Sequence, residues 1–362
     1  MVNFIKRYLS YKPWLPTVVV LLVCLLIVGS TLWQNNNDPM AFVDYDGYFP
    51  YHIARLGFDV EEAAPFMDRT AYRYQRILYP LTVRFLALGE AELVPWSLIL
   101  VNIMAICVGT RFMEILLVKE NASGWYALVY GLYGGQILAL LTSLTEPLSY
   151  TLVLASILAW KRKHVIGTAV LFALALLTKE TAIVFVGGLT LYYLQRREWR
   201  HAVIISASIL PYVAYQVFLV QWLGESVIGA SEPFNWVPFW GWLIGIKQNY
   251  LAFLLLSISI VPMTIIPTIA GLLLSIRSLF KKHHHPYVYF LLTNCLFISI
   301  LPYPTFREPS AIIRLTQGLV ISMLLYGALI RSKRILNYSV LWIFTSVILL
   351  KGSGRGVIPH FD

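Results

Sequence analysis

Long apolar runs are the feature that most limits what this chain can become. They lie at about residues 14–33, 94–118, 123–141, 147–160, 164–177, 182–194, 201–222, 250–276, 286–301, 311–330 and 335–350. A helix needs ~20 mostly apolar residues to cross the hydrocarbon core of a bilayer. The runs therefore predict an all-α polytopic membrane protein with roughly 11 transmembrane helices, forming one integral-membrane domain over residues 1–362. Composition agrees: 58% of residues are hydrophobic, 13% are charged and the mean hydropathy is +0.70. A soluble domain carries about 25% charged residues, so a soluble or disordered chain is excluded. Cys24, Cys107 and Cys295 all lie inside apolar runs, which reads as packing rather than a disulfide framework or a metal spacing.

The basic residues set an orientation. Lys6, Arg7 and Lys12 precede the first run, which is followed by no small-x-small cleavage site and reads as an uncleaved signal anchor. With the N-terminus in the cytoplasm and the runs alternating, 17 of the 28 Lys and Arg residues fall inside, accompanied only by Glu114, Glu120 and Glu198. That is the positive-inside pattern. It explains the net charge of +10 without nucleic acid, and the expected location is the plasma (inner) membrane. The pattern holds only if segment 77–89, interrupted by Pro80 and Arg84, lies on the surface as an amphipathic helix. Residues 34–93 then form a first extracytoplasmic loop and 223–249 a second large outer loop. His283, His284 and His285 follow Lys281 and Lys282 and read as a solvated loop.

The charges that topology does not explain gather on the outer side. Glu146 sits just before Pro147, where two runs turn round. Lys179 and Glu180 lie between runs of about 14 and 13 residues. Each covers only ~21 Å at 1.5 Å per residue, so their turn should be sunk below the outer surface. Ionisable groups at that depth are costly and point to function. Asp44 and Asp46 flank Tyr45 in the first outer loop. Such an Asp-x-Asp can be a turn or helix cap, a general base, or a metal ligand. Arg73 and Arg76, three apart among Tyr72, Tyr74 and Tyr79, suit a phosphate headgroup, because guanidinium binds phosphate through two hydrogen bonds. Ordinary lipid anchoring explains the pair equally well. Arg307 and Arg314 are similar, and Arg314 lies inside an apolar stretch. Acids and bases in one leaflet suit transfer from a lipid-phosphate donor, with a base taking the acceptor proton and cations stabilising the leaving phosphate.

Three stretches carry a resemblance. They are Tyr45-Asp-Gly-Tyr-Phe-Pro-Tyr-His-Ile-Ala-Arg-Leu-Gly-Phe58, Tyr72-Arg-Tyr-Gln-Arg-Ile-Leu-Tyr-Pro80 and Thr178-Lys-Glu-Thr181, with Arg314-Leu-Thr-Gln-Gly-Leu-Val320 further on. Here the chain resembles the GT-C superfamily of polytopic glycosyltransferases, nearest the bacterial relatives of the protein O-mannosyltransferase and GPI-mannosyltransferase types. Asp46 matches the family's aspartate and Tyr51 its tyrosine, with Ile53, Ala54, Gly57 and Phe58 following in register. Tyr45 stands where the family usually has Trp.

The resemblance implies a helical first outer loop over a donor cavity and an inverting sugar transfer on the extracytoplasmic face. It makes Asp46 the general base, with Asp44 and Glu180 as further catalytic carboxylates. Lys179, Glu146, Tyr51 and His52 would line the substrate, and Arg73, Arg76, Arg307 and Arg314 would face the lipid phosphate. The donor would be a polyprenyl-phosphate sugar, and the acceptor a glycan, lipid or protein. A divalent metal fits this pattern but is not required by it. The same groups would also serve a transporter or flippase for a lipid-linked glycan or small solute, or a scaffold subunit whose catalysis lies elsewhere.

Overall fold

The computed structural model describes residues 12–225 and 232–346. Lys6 and Arg7, part of the second outer loop and the last residues of the final apolar run lie outside the described residues. Among the described residues there are helices and turns and no strands. Five helical segments are long and apolar enough to cross a membrane: Leu15–Gln34, Ala91–Lys119, Trp199–Leu223, Tyr250–Phe280 and Pro309–Leu329. They mark the chain as a membrane protein. Leu22, Leu26, Leu210, Leu251, Ile258 and Leu273 face outward from the first, third and fourth of these. An apolar surface that extensive needs lipid against it.

Seven helices frame the centre: α1 (Leu15–Gln34), α2 (Val94–Lys119), α3 (Glu146–Lys161), α4 (Val165–Thr178), α5 (Ile183–Gln195), α6 (Pro286–Ser299) and α7 (Gln317–Leu329). Their starts follow local chemistry. Pro16, Pro95, Pro147 and Pro286 each sit in a first turn, where the missing N–H costs nothing and the fixed φ suits a helix. The backbone N–H of Trp14 donates to Glu114 Oε1 at 3.0 Å, and Arg111 lies 4.1 Å over the Trp14 ring. This ties the start of α1 to the far end of α2.

Helix α3 packs between α2 and α4, α5 packs on α6, and α6 packs on α7. The core between them holds Leu154, Ile157, Phe172, Phe185, Phe290 and Leu324, all buried. Gly109 lets α2 and α3 approach, because a Cβ there would stand 2.5 Å from Thr151 Oγ1 and Tyr130 Oη. Small residues at helix contacts are the usual basis of close packing in membranes.

Several runs read as single spans are divided. The run at 123–141 becomes a 3-10 turn and two helices, Ala127–Gly131 and Gly134–Leu141. Glycines at 131, 134 and 135 carry no Cβ, and the chain breaks between them. Tyr250–Phe280 contains a π-turn over Val261–Ile265, where Pro262 cannot supply an N–H to the helix ladder. The described part of the run at 335–350 forms Lys333–Ser339 and a 3-10 turn to Ile343. Segment 77–89 holds the helix Leu78–Leu86, nine residues long and too short to cross. Helices α3, α4 and α5 have 16, 14 and 13 residues, about 24, 21 and 20 Å, short of the ~30 Å apolar slab.

Candidate active site

Asp46 lies in a one-turn 3-10 helix, Tyr45–Gly47. The Asp44 carboxylate accepts from the backbone N–H of Tyr45 at 2.7 Å and caps that turn. Gly47 then presses against the 142–145 turn. A Cβ on Gly47 would stand 1.7 Å from the Thr142 carbonyl oxygen, so only glycine fits this approach. The contact brings Asp46 beside the start of α3, where Glu146 begins the helix. The helix Tyr48–Leu56 follows and packs Ala54 against Tyr79, Val83 and Leu98, which fixes the loop on α2.

A continuous chain of ion pairs runs through this region. Arg73 holds Asp68 with two hydrogen bonds of 2.7 Å, and its Nη1 donates to Asp46 Oδ1 at 3.0 Å. Its guanidinium lies 3.6 Å over the ring of Phe49. Arg314 Nη1 donates to the other Asp46 oxygen at 2.7 Å, and Arg314 Nε donates to Glu146 Oε1 at 2.5 Å. Lys179 Nζ donates to the same Glu146 oxygen at 2.5 Å. Beside this chain, Arg76 forms a bidentate pair with Glu180, at 2.9 and 2.6 Å, and also donates to the Tyr72 hydroxyl. Glu146 is fully buried, Lys179 and Arg314 nearly so, while the Asp46 side chain keeps 25% exposure.

Asp46, Arg73, Arg76 and Arg314 line one narrow cleft of about 20 Å³, together with Phe49 and Thr145. That is room for about one water. Burial by itself would raise the Asp46 carboxyl, but the neighbouring Arg314 and Arg73 guanidiniums outweigh burial and hold it below its ordinary value of 3.8. It is therefore ionised at neutral pH, with both oxygens engaged.

Of the residues expected at the site, Asp46, Arg73, Arg76, Glu146, Lys179, Glu180 and Arg314 come together in this way. Four do not join them. Asp44 is an exposed cap for the turn that carries Asp46. Tyr51 packs against the Ala54 cluster. His52 is buried, its ring stacked 4.0 Å from that of Phe66 and edge-on to Tyr48, and burial together with Arg55 lowers its pKa. Neither Tyr51 nor His52 hydrogen-bonds to the charged network. Arg307 is exposed and lines a separate cavity of about 130 Å³ with Trp242 and Phe253.

The sequence reading passed over three contributors. Asp68 is the second carboxylate on Arg73. The Tyr45 hydroxyl donates to Glu308, which also accepts from Ser310 at 2.5 Å, and Arg314 lies 5.3 Å from the Tyr45 ring. The available signal was proximity in sequence, since Tyr45 adjoins Asp46 and Glu308 adjoins Arg307. No group of three His, Cys, Asp or Glu residues is placed to hold a metal ion among the described residues. Comparison with protein-family models, curated proteins and solved structures finds no match.

Proposed function

We propose that the chain is an integral-membrane glycosyltransferase of GT-C type, moving a sugar from a polyprenyl-phosphate-linked donor to an acceptor on the extracytoplasmic face. The single observation that supports this most is the gathering, from five distant stretches of sequence, of Asp46, Arg73, Glu146, Lys179 and Arg314 into one ion-pair chain with the Arg76–Glu180 pair beside it. In this reading the short helices between the five long ones complete the roughly eleven membrane-embedded elements. The N-terminus faces the cytoplasm.

The reaction uses these residues as follows. Arg73 and Arg314 hold Asp46 until a lipid phosphate enters, and the phosphate then draws on the same guanidiniums. Freed of part of that pairing, the Asp46 carboxylate becomes more basic and takes the proton of the acceptor hydroxyl. The acceptor oxygen attacks the anomeric carbon, the bond from that carbon to the phosphate oxygen breaks, and the configuration inverts. Negative charge grows on the leaving polyprenyl phosphate, where Arg73, Arg314 and Arg76 can stabilise it. Glu146, itself held by Lys179, fixes Arg314 from behind. The narrowness of the cleft means that the first outer loop must move to admit a sugar.

The test incubates purified full-length protein with a polyprenyl-phosphate sugar and measures released polyprenyl phosphate. Wild type should release it, and Asp46→Asn should lower release by at least ~100-fold, the lower end of general-base effects, while remaining folded. Movement of the lipid-linked sugar across vesicles without bond cleavage would favour a transporter instead. Wild-type-like release by Asp46→Asn would remove the proposed base.

A further inference from the structure

Helices α3, α4 and α5 each have one end at the Asp46 network and the other at a second, larger cleft. Glu146 opens α3 and Lys161 closes it; Thr178 closes α4, whose first residue, Val165, lines the second cleft; α5 begins just after Glu180 and ends beside Arg196. The second cleft has a volume of about 900 Å³. It lies about 20–24 Å from the first by helix length.

Its walls carry Lys119, Lys161, Lys163 and Arg196, against the single carboxylate of Glu198. Lys161 is paired with Glu120, and Arg196 with Glu198 at 2.7 Å. Lys119 and Lys163 have no carboxylate partner among the described residues. The rings of Trp160 and Tyr192, edge to face with centroids 6.3 Å apart, form the apolar wall.

A flat basic turn would satisfy the positive-inside pattern, and nothing in that pattern calls for a hollow. Here the cations surround a concavity between helix ends, next to aromatic rings. We propose that this cleft is a binding site for a phosphate group, entering as the headgroup of an anionic phospholipid or as a free phosphoester. Lysine and arginine supply charge-assisted hydrogen bonds to its oxygens, and basic pockets between membrane helices suit such headgroups. The site is independent of the proposed transfer reaction and uses none of its residues.

The test uses native mass spectrometry of the full chain in a neutral detergent. One arm dopes the micelles with phosphatidylglycerol, and the other supplies inorganic pyrophosphate without lipid. Wild type should retain the probe in at least one arm, and the arm that binds identifies the source. Lys163→Gln/Arg196→Gln should weaken retention at least tenfold. Lys333→Gln/Arg334→Gln, which removes the same charge from the exposed start of the helix Lys333–Ser339 outside the cleft, should not. Lys163→Arg should bind like wild type, and thermal melts should show each variant folded. Equal losses in the cleft and control variants, or retention of neither probe by wild type, would overturn the site.

Discussion

Glu146 shows most clearly how single side chains carry the network. It is fully buried and meets two cations, Lys179 and Arg314. Removing one partner from a buried ion pair leaves an uncompensated charge, at a cost of ~3–5 kcal/mol. Glu146→Ala should therefore lower stability by about that amount in a denaturation titration in detergent. A variant as stable as wild type would mean that Lys179 and Arg314 find other partners. Asp46 gives a pH signature. Its folded pKa lies below its ordinary value, so the stability it contributes is complete above about 4. That contribution is lost as pH falls through the lowered folded value. The difference in melting temperature between wild type and Asp46→Asn should hold steady from pH 7 to about 5 and shrink only in stronger acid. Shrinkage already between pH 7 and 6 would contradict the double arginine pairing. These residues stood out in the sequence because topology left their charges unexplained. Which of them pair with which did not, since Asp46 and Arg314 lie 268 positions apart.

Among the elements, the turn at Tyr45–Gly47 does the positioning. Gly47 is required by close approach to Thr142 and not by backbone conformation, since its φ is −71°. Gly47→Ala should push the turn off the start of α3, destabilise by about 1–3 kcal/mol through overpacking, and reduce transfer more than stability alone explains. Gly29 in α1 meets nothing within 4 Å, so Gly29→Ala serves as a neutral control in the same melts. An unchanged Gly47→Ala protein would show that the turn can be seated differently. Most helices were legible from their apolar runs, with Pro and polar residues marking the starts. The breaks inside 123–141 and 250–276 were not, because hydropathy summed over a window does not register where the backbone turns. Arg73 and Arg76 are three apart, a spacing that would put them on one face of a continuous helix. The helix Thr70–Tyr74 ends between them, so one reaches Asp46 and the other Glu180.

For the whole molecule, the two clefts at opposite ends of α3, α4 and α5 make a statement about sides. Asp44 is exposed beside the first, and Lys163 is exposed at the second. In a background lacking the three native cysteines, Asp44→Cys should react with a membrane-impermeant maleimide added outside intact cells. Lys163→Cys should react only after permeabilisation. Labelling of both from the same side would refute a bundle spanning the bilayer between them.

Helicity, membrane embedding and the charges in need of an explanation can all be read from residue order alone. Hydropathy and helix length are local properties that add up along a stretch of chain, so composition and order suffice to read them. Three things emerge only on folding: which carboxylate faces which cation, the separation of Arg307 and His52 from the network, and the hollow between basic turns. Those outcomes depend on distances between segments far apart in the chain, and packing sets such distances through shape, down to a single missing Cβ at Gly47.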